Sequence, residues 1–189
     1  MRKNSTSIIT DFVEGIFSLQ TRRFGTVAEL IMLEKYGLSD KTSNQHYDAT
    51  DNENNKIEIK FSRVLRSNNK QITKKNILAE TVYSSMYKRA ISSKNYKKIT
   101  FDSNIQQVKR TEFDFLYYGL FFKDKIAIFK IKSADVENIE GYSDFQHKGN
   151  KGEGQFHINN DTIDYHMKNH FLEWITYEEV YEMFEANQY

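Results

Sequence analysis

Three residues between Tyr47 and Phe61 have the types and spacing for metal-assisted chemistry: Asp48, Glu58 and Lys60. The stretch reads Tyr47-Asp48-Ala49-Thr50-Asp51, then the turn-forming cluster Asn52-Glu53-Asn54-Asn55, then Lys56-Ile57-Glu58-Ile59-Lys60-Phe61. Side chains alternate along a strand, so Glu58 and Lys60 leave one face while Ile57, Ile59 and Phe61 leave the other, toward the core. A tight turn brings Asp48 on the neighbouring strand within reach of that pair. Paired carboxylates suit a hard cation such as Mg²⁺, which keeps several waters and binds through one or two carboxylates plus a substrate phosphate. An ammonium beside them can orient an attacking water and offset charge developing at phosphorus. An isolated E-x-K is usually an ion pair on an exposed strand. The joint occurrence with Asp48 favours a site. Asp51 points to the face opposite Asp48 and is left out of it.

The elements that must hold these residues are legible in outline. Ile8, Ile9, Phe12, Val13, Ile16 and Phe17 recur at helical spacing and predict a helix over Ser7–Leu19. A second helix, Val27–Tyr36, starts after Gly25-Thr26 and is closed by Gly37. The alternations His46–Asp51 and Lys56–Val64 form a β-hairpin. Thr73 caps a third helix, Lys74–Ile91, with Leu78, Val82, Met86 and Ala90 as its apolar face. Strands are expected at Lys98–Phe101, Ile105–Val108, Phe113–Phe122, Lys125–Lys132 and Gln155–Ile158. Thr176-Tyr177-Glu178-Glu179 is a capping box that opens a last helix burying Val180, Tyr181 and Phe184. The order predicts an α/β fold with a mixed central β-sheet flanked by helices. The 189 residues fit one domain, with a core over residues 20–132 and a C-terminal extension over 133–189.

The pattern Asp48-x9-Glu58-x-Lys60 resembles the PD-(D/E)xK motif of the nuclease superfamily that includes most type II restriction endonucleases. Tyr47 stands where the nominal motif has proline. The resemblance implies a restriction endonuclease-like αβββαβ core over residues 20–110. One of the three early strands is not visible in the sequence, and Asn104–Lys109 looks like the strand after the second helix. It implies that Asp48 and Glu58 bind Mg²⁺, one or two ions per active site, and that Lys60 positions the attacking water. It further implies an acid from the helix before the hairpin, where Glu29 is the only charge in Val27–Leu33. Arg63, Arg66, Lys70 and Lys74 follow the catalytic strand and would flank the scissile DNA strand. The implied activity is sequence-specific hydrolysis of phosphodiester bonds in double-stranded DNA, leaving 5′-phosphate and 3′-hydroxyl ends. Cutting both strands calls for two active sites, hence a homodimer. The alternatives are a repair or junction-resolving nuclease of the same fold, a non-catalytic nucleic-acid-binding module, and an interaction protein with a basic docking face.

Two other segments hold chemistry-bearing residues. His147–His157 contains three of the eight glycines, but lacks the phosphate-loop pattern and is followed by a strand. Lys148, Asn150, Lys151, Gln155 and His157 there could contact phosphates or base edges, the alternative being a surface loop. His166-Met167-Lys168-Asn169-His170 has zinc-like histidine spacing, but Met167 replaces the glutamate that metalloprotease chemistry needs. Packed or solvated histidines are the reading there.

Composition removes several classes. The chain has no cysteine, which excludes disulfide scaffolds, thiolate metal sites and thiol nucleophiles. Mean hydropathy is −0.71. The longest apolar run, Phe113–Phe122, is broken by Asp114 and Gly119 and is too short to span a bilayer. With no export signal at the N-terminus, a cytoplasmic protein is expected. The net charge is only +1, yet residues 56–110 carry 14 Lys/Arg against three acids. A polyanion meeting that segment would release counterions, the main source of sequence-independent nucleic-acid affinity. A basic face balanced elsewhere is the bland alternative.

Overall fold

The computed structural model describes residues 5–40, 46–67, 70–145 and 151–186. Two helices open the chain, α1 (Ser5–Ser18) and α2 (Thr21–Tyr36). The second starts well before Val27 and runs through Gly25. It stops where Gly37 adopts φ 59° and donates its N–H to the Leu33 carbonyl, a left-handed cap open to glycine at little cost. Three strands follow: β1 (Ser39–Asp40), β2 (Ala49–Thr50) and β3 (Lys56–Arg63). β1 is the early strand that the sequence hides. It is two residues long and exposed, so it leaves no apolar alternation to read.

The remaining elements are α3 (Ile77–Tyr83), α4 (Met86–Arg89), β4 (Asp102–Val108), β5 (Phe115–Phe121) and β6 (Lys125–Lys132). After a 3-10 turn at Ser133–Asn138 come β7 (Ser143–Phe145), β8 (Lys151–Asn159), α5 (Ile163–Asn169), β9 (Phe171–Thr176) and α6 (Tyr177–Glu185). Among the described residues six strands form a central sheet in the order β1-β2-β3-β5-β6-β9, and three form a smaller sheet in the order β4-β8-β7. Only β3 and β5 run parallel in the central sheet, with Glu58 opposite Leu116 and Lys60 opposite Tyr118. The fold is therefore mixed α/β with a mixed central sheet flanked by helices. Residues after 132 complete both sheets, since β9 forms an edge of one and β8 the centre of the other.

Each face of the central sheet is covered. On one, Ile57, Ile59, Tyr117, Phe121 and Ile128 pack under α1, α2 and α6 through Phe17, Phe24, Met32 and Val180. On the other, Leu116, Tyr118, Leu120 and Phe129 meet Ile105 and Val108 of β4 and Phe156 and Ile158 of β8. Burying such side chains contributes roughly 1.5–3 kcal/mol each. Gly119 of β5 has no room for a side chain, because the Phe61 ring and the Ala127 carbonyl occupy that space.

Several sequence expectations need correction. Asn104–Lys109 is not the strand after the second helical segment in the central sheet; β4 belongs to the small sheet, and β5 takes the place beside β3. The reason is burial. Phe115–Phe121 is apolar on both faces, as an internal strand requires, whereas β4 alternates buried Ser103 and Ile105 with Asp102, Asn104 and Gln106. Lys98–Phe101 forms turns, with Lys98 and Ile99 donating to the Asn95 carbonyl, and only Phe101 bridges to Arg66. The helix expected over Lys74–Ile91 breaks at Ser84-Ser85, where the Ser85 hydroxyl accepts the Lys88 N–H and caps a new turn. Its apolar stripe is not covered: Leu78 is 82% exposed. Helical periodicity locates such a stripe but says nothing about what lies over it.

Candidate active site

The site begins where the β2–β3 ladder ends. Only Ala49 and Thr50 pair with Ile57 and Lys56. Just before β2, Asp48 donates its N–H to the Ile57 carbonyl (2.9 Å), and its own Oδ2 then accepts the Ile59 N–H (2.9 Å). The carboxylate thus stands in for the next backbone acceptor of the ladder. Asp51 shapes the turn instead, its side chain accepting from the N–H groups of Glu53 and Asn55 and from the Asn55 amide. Asn54 at φ 62° completes that turn, in the left-handed region that asparagine tolerates.

Glu58 and Lys60 leave β3 on the face opposite Ile57 and Ile59, as alternation requires. Lys60 Nζ lies 3.3 Å from Asp48 Oδ2 and in close contact with Glu58 Oε1. Glu58 is buried, and its carboxylate meets the ammonium that such burial demands. Burial works against a charged Lys60, but the two carboxylates and their hydrogen bonds outweigh it and raise the ammonium pKa. Lys60 is therefore charged at neutral pH.

Around them lies a pocket of about 290 Å³, rimmed by His46, Gln107, Lys109, Glu112 and Glu153. Lys109 stands 3.7 Å from Glu153 and 3.9 Å from Glu112. Carboxylates outnumber ammonium groups here, which favours a cation. Among the described residues no group of three or more His, Asp or Glu side chains is placed to hold a metal ion. Asp48 and Glu58 offer two carboxylates, the number with which Mg²⁺ binds when phosphate and water supply the rest. The donor set fits Mg²⁺ on those terms.

A larger groove of about 910 Å³ adjoins the pocket. Among the described residues no strand pairs with β3 beyond Ile57 on the β2 side, and the groove follows this open edge. One wall is α2, with Arg22, Gly25 and Glu29; the other is β4, with Asp102, Asn104, Gln106 and Gln107; Met86 and Arg89 close the far end. Lys60 and Gln107 line both spaces, so pocket and groove meet at them. Glu29 lines the groove, while the acidic pocket is formed without it.

The basic residues singled out in the sequence are deployed unequally. Arg63 lines the groove, but its Nη2 donates to the Ile16 and Leu19 carbonyls (3.2 and 2.7 Å) and its guanidinium stacks 3.8 Å from the Phe24 ring centre. It clamps the end of α1, where a cation complements the helix dipole. Arg66 is exposed and accepts the Arg89 guanidinium on its carbonyl (3.0 and 3.1 Å); Lys70 and Lys74 are exposed ahead of α3. His157 pairs with the groove residue Asp102 at 2.8 Å, and Gln155 accepts the Asn104 amide at 3.1 Å. Lys148 and Asn150 lie outside the described residues, and of Lys151 only its place at the start of β8 is described. His166 is fully buried, with Nδ1 2.8 Å from the Tyr118 hydroxyl; its spacing to His170 is a packing feature.

Sequence reading missed Arg22, Arg89, Gln107, Glu112 and Glu153. No linear spacing links them to Asp48. Arg22 and Arg89 come from α2 and α4, whereas Gln107, Glu112 and Glu153 arrive with β4, the turn after it and β8, and the one local signal is the stretch Asn104–Lys109. Compared with models of known protein families and with curated proteins, the sequence has no match.

Proposed function

We infer that the chain is a Mg²⁺-dependent endonuclease of the PD-(D/E)xK kind, organised like a type II restriction enzyme and acting on double-stranded DNA. The observation that carries this reading is the meeting of Asp48, Glu58 and Lys60 across the end of the β2–β3 ladder. The order of elements in the central sheet supports it: a helix (α2), three antiparallel strands (β1–β3), a helical segment (α3 and α4) and, after β4 of the small sheet, β5 parallel to β3, which is the αβββαβ order of that core with one strand inserted. A groove with Arg22 and Arg89 on its walls and Lys60 where it meets the pocket, against Glu29 and Asp102, suits a polyanion running toward the reaction centre.

In this reading Asp48 and Glu58 hold Mg²⁺, which when bound supplies Lewis acidity and lowers the pKa of its water. Lys60 orients the attacking water and offsets charge on the phosphate oxygens as the P–O3′ bond breaks, leaving 5′-phosphate and 3′-hydroxyl ends. Glu29, on the groove wall, would hold a second ion or its water shell. Two strands need two active sites, so the working form is a homodimer, and two-fold symmetry matches a palindromic target.

Incubation of the purified protein with plasmid DNA, with and without Mg²⁺, tests this directly. Discrete fragments that appear only with Mg²⁺, and vanish in Asp48→Ala, Glu58→Ala and Lys60→Ala, are expected. Cutting confined to branched or damaged DNA would assign a repair or junction-resolving role to the same site. Undiminished cutting by all three variants would remove these residues from the chemistry, and binding without cleavage at any Mg²⁺ level would leave a non-catalytic module.

A further inference from the structure

The wall of the groove formed by β4 has a feature that cleavage alone does not require. Asn104, Gln106 and Gln107 present carboxamides along it. A regular strand would turn Gln107 inward after Gln106, yet both are exposed, and Val108 is buried behind them. The cause is a bulge. Ile105 faces Phe156 and Val108 faces Gly154, so three steps on β4 match two on β8. The extra residue is Gln107, a non-glycine held at φ 59°. Such backbone costs of order 1–3 kcal/mol and persists where the surroundings impose it, often at binding sites.

Two further observations mark the row as built for a ligand. Asn104 Nδ2 is fixed by Gln155 on the neighbouring strand, and Asn104 Oδ1, shielded from solvent, has no hydrogen-bond partner in the wall behind the row. Gln107 lines the acidic pocket as well as the groove, so its amide sits at the mouth of the proposed reaction centre. Carboxamides offer a donor and an acceptor side by side, the pattern that matches adenine N7 and N6. The arginines of the groove outside β3, Arg22 and Arg89, lie elsewhere, on α2 and α4.

We propose that the carboxamide row of β4 reads base edges of the DNA in the groove, with Gln107 contacting the base nearest the scissile phosphate. The proposal rests on the nuclease reading for its substrate and goes beyond it in assigning specificity to residues outside the Asp48–Glu58–Lys60 site. The bulge is the device that turns two consecutive amides toward one strand.

The test is a selection from a random duplex library, bound by the full chain in Ca²⁺ and, separately, cut in Mg²⁺, with bound and cut molecules sequenced. Wild type is compared with Gln106→Ala and Gln107→Gly. Glycine keeps the left-handed backbone, and a melting temperature at or above the parent's shows that the bulge is intact. Wild type is expected to enrich a consensus, and each variant to lose roughly tenfold or more of its preference at one column, most often an A·T pair. Loss at any single column supports base readout. Uniformly weaker binding with an unchanged consensus would overturn it in favour of phosphate contact, and so would variants indistinguishable from wild type. A wild-type chain that enriches no sequence overturns it too. A consensus in Ca²⁺ without cleavage in Mg²⁺ would sink the nuclease reading while leaving base readout standing.

Discussion

Lys60 touches both carboxylates of the site, so it is their counter-ion and would compete with a metal for them. Adding Mg²⁺ at a hundredfold over its Kd is expected to stabilise the fold by about 2.7 kcal/mol. Asp48→Asn or Glu58→Gln should cancel that gain, which thermal melts with and without Mg²⁺ will read; an equal gain in both variants would place the ion elsewhere. Lys60→Met leaves the Glu58 carboxylate buried without its cation. A cost of about 2–3 kcal/mol is expected, at or below the low end for buried pairs because Lys60 is partly exposed, and Mg²⁺ should recover much of it. At Gln107 the backbone itself is the liability. Gln107→Gly should raise unfolding stability by about 1 kcal/mol in a denaturant titration, whereas Gln107→Val should lower it.

At the scale of elements, α5 shows what the zinc-like histidine spacing is for. His166 stacks on Phe156 and reaches Tyr118, joining α5 to both sheets. Burial, helped by the neighbouring His170, pulls its pKa down to about 4 from an ordinary 6.5. Between those values the unfolded chain binds a proton that the folded chain refuses. Stability is thus complete above pH 6.5 and falls as pH drops through the window, by up to about 3 kcal/mol at pH 4. Chemical unfolding at several pH values should show the decline, and His166→Gln should flatten it. The hairpin, β6 and the capping box of α6 were legible because each depends on neighbours in the chain: Asn52–Asn55 turn, Ile126–Phe129 form a continuous apolar run between lysines, and Thr176 and Glu179 cap each other. The place of β4 was not legible, since a bulged strand with Gln107 turned outward breaks the alternation that identifies a partner face. Nor was the break at Ser84-Ser85, where the apolar periodicity of Leu78 and Val82 continues across a real interruption.

Over the whole molecule, charge and shape agree. The basic segment 56–110 supplies β3, α4 and β4, three of the four elements that line the groove, while α2 adds Arg22. DNA affinity measured against salt should fall steeply, and Arg22→Ala or Arg89→Ala should each reduce the slope by about one. In sedimentation a cleavable duplex is expected to carry two 22.4 kDa chains in addition to its own mass. A monomer on such DNA would require the two strands to be cut in separate visits. Asp48, Glu58 and Lys60 could be gathered from sequence because one turn joins them. The groove could not, because its walls lie some eighty residues apart in the chain and meet only through the two-sheet packing.

One side chain links sheet and chemistry. The Ile59 amide proton is held by Asp48 Oδ2, the same carboxylate that would take the ion. That proton is therefore a built-in gauge of occupancy. As Mg²⁺ draws electron density from the carboxylate, the Ile59 amide resonance should move and its exchange with deuterium should quicken, while the Asp48 amide, bonded to a main-chain carbonyl, keeps its rate. Loading of the centre could then be followed one residue at a time, with no DNA in the tube.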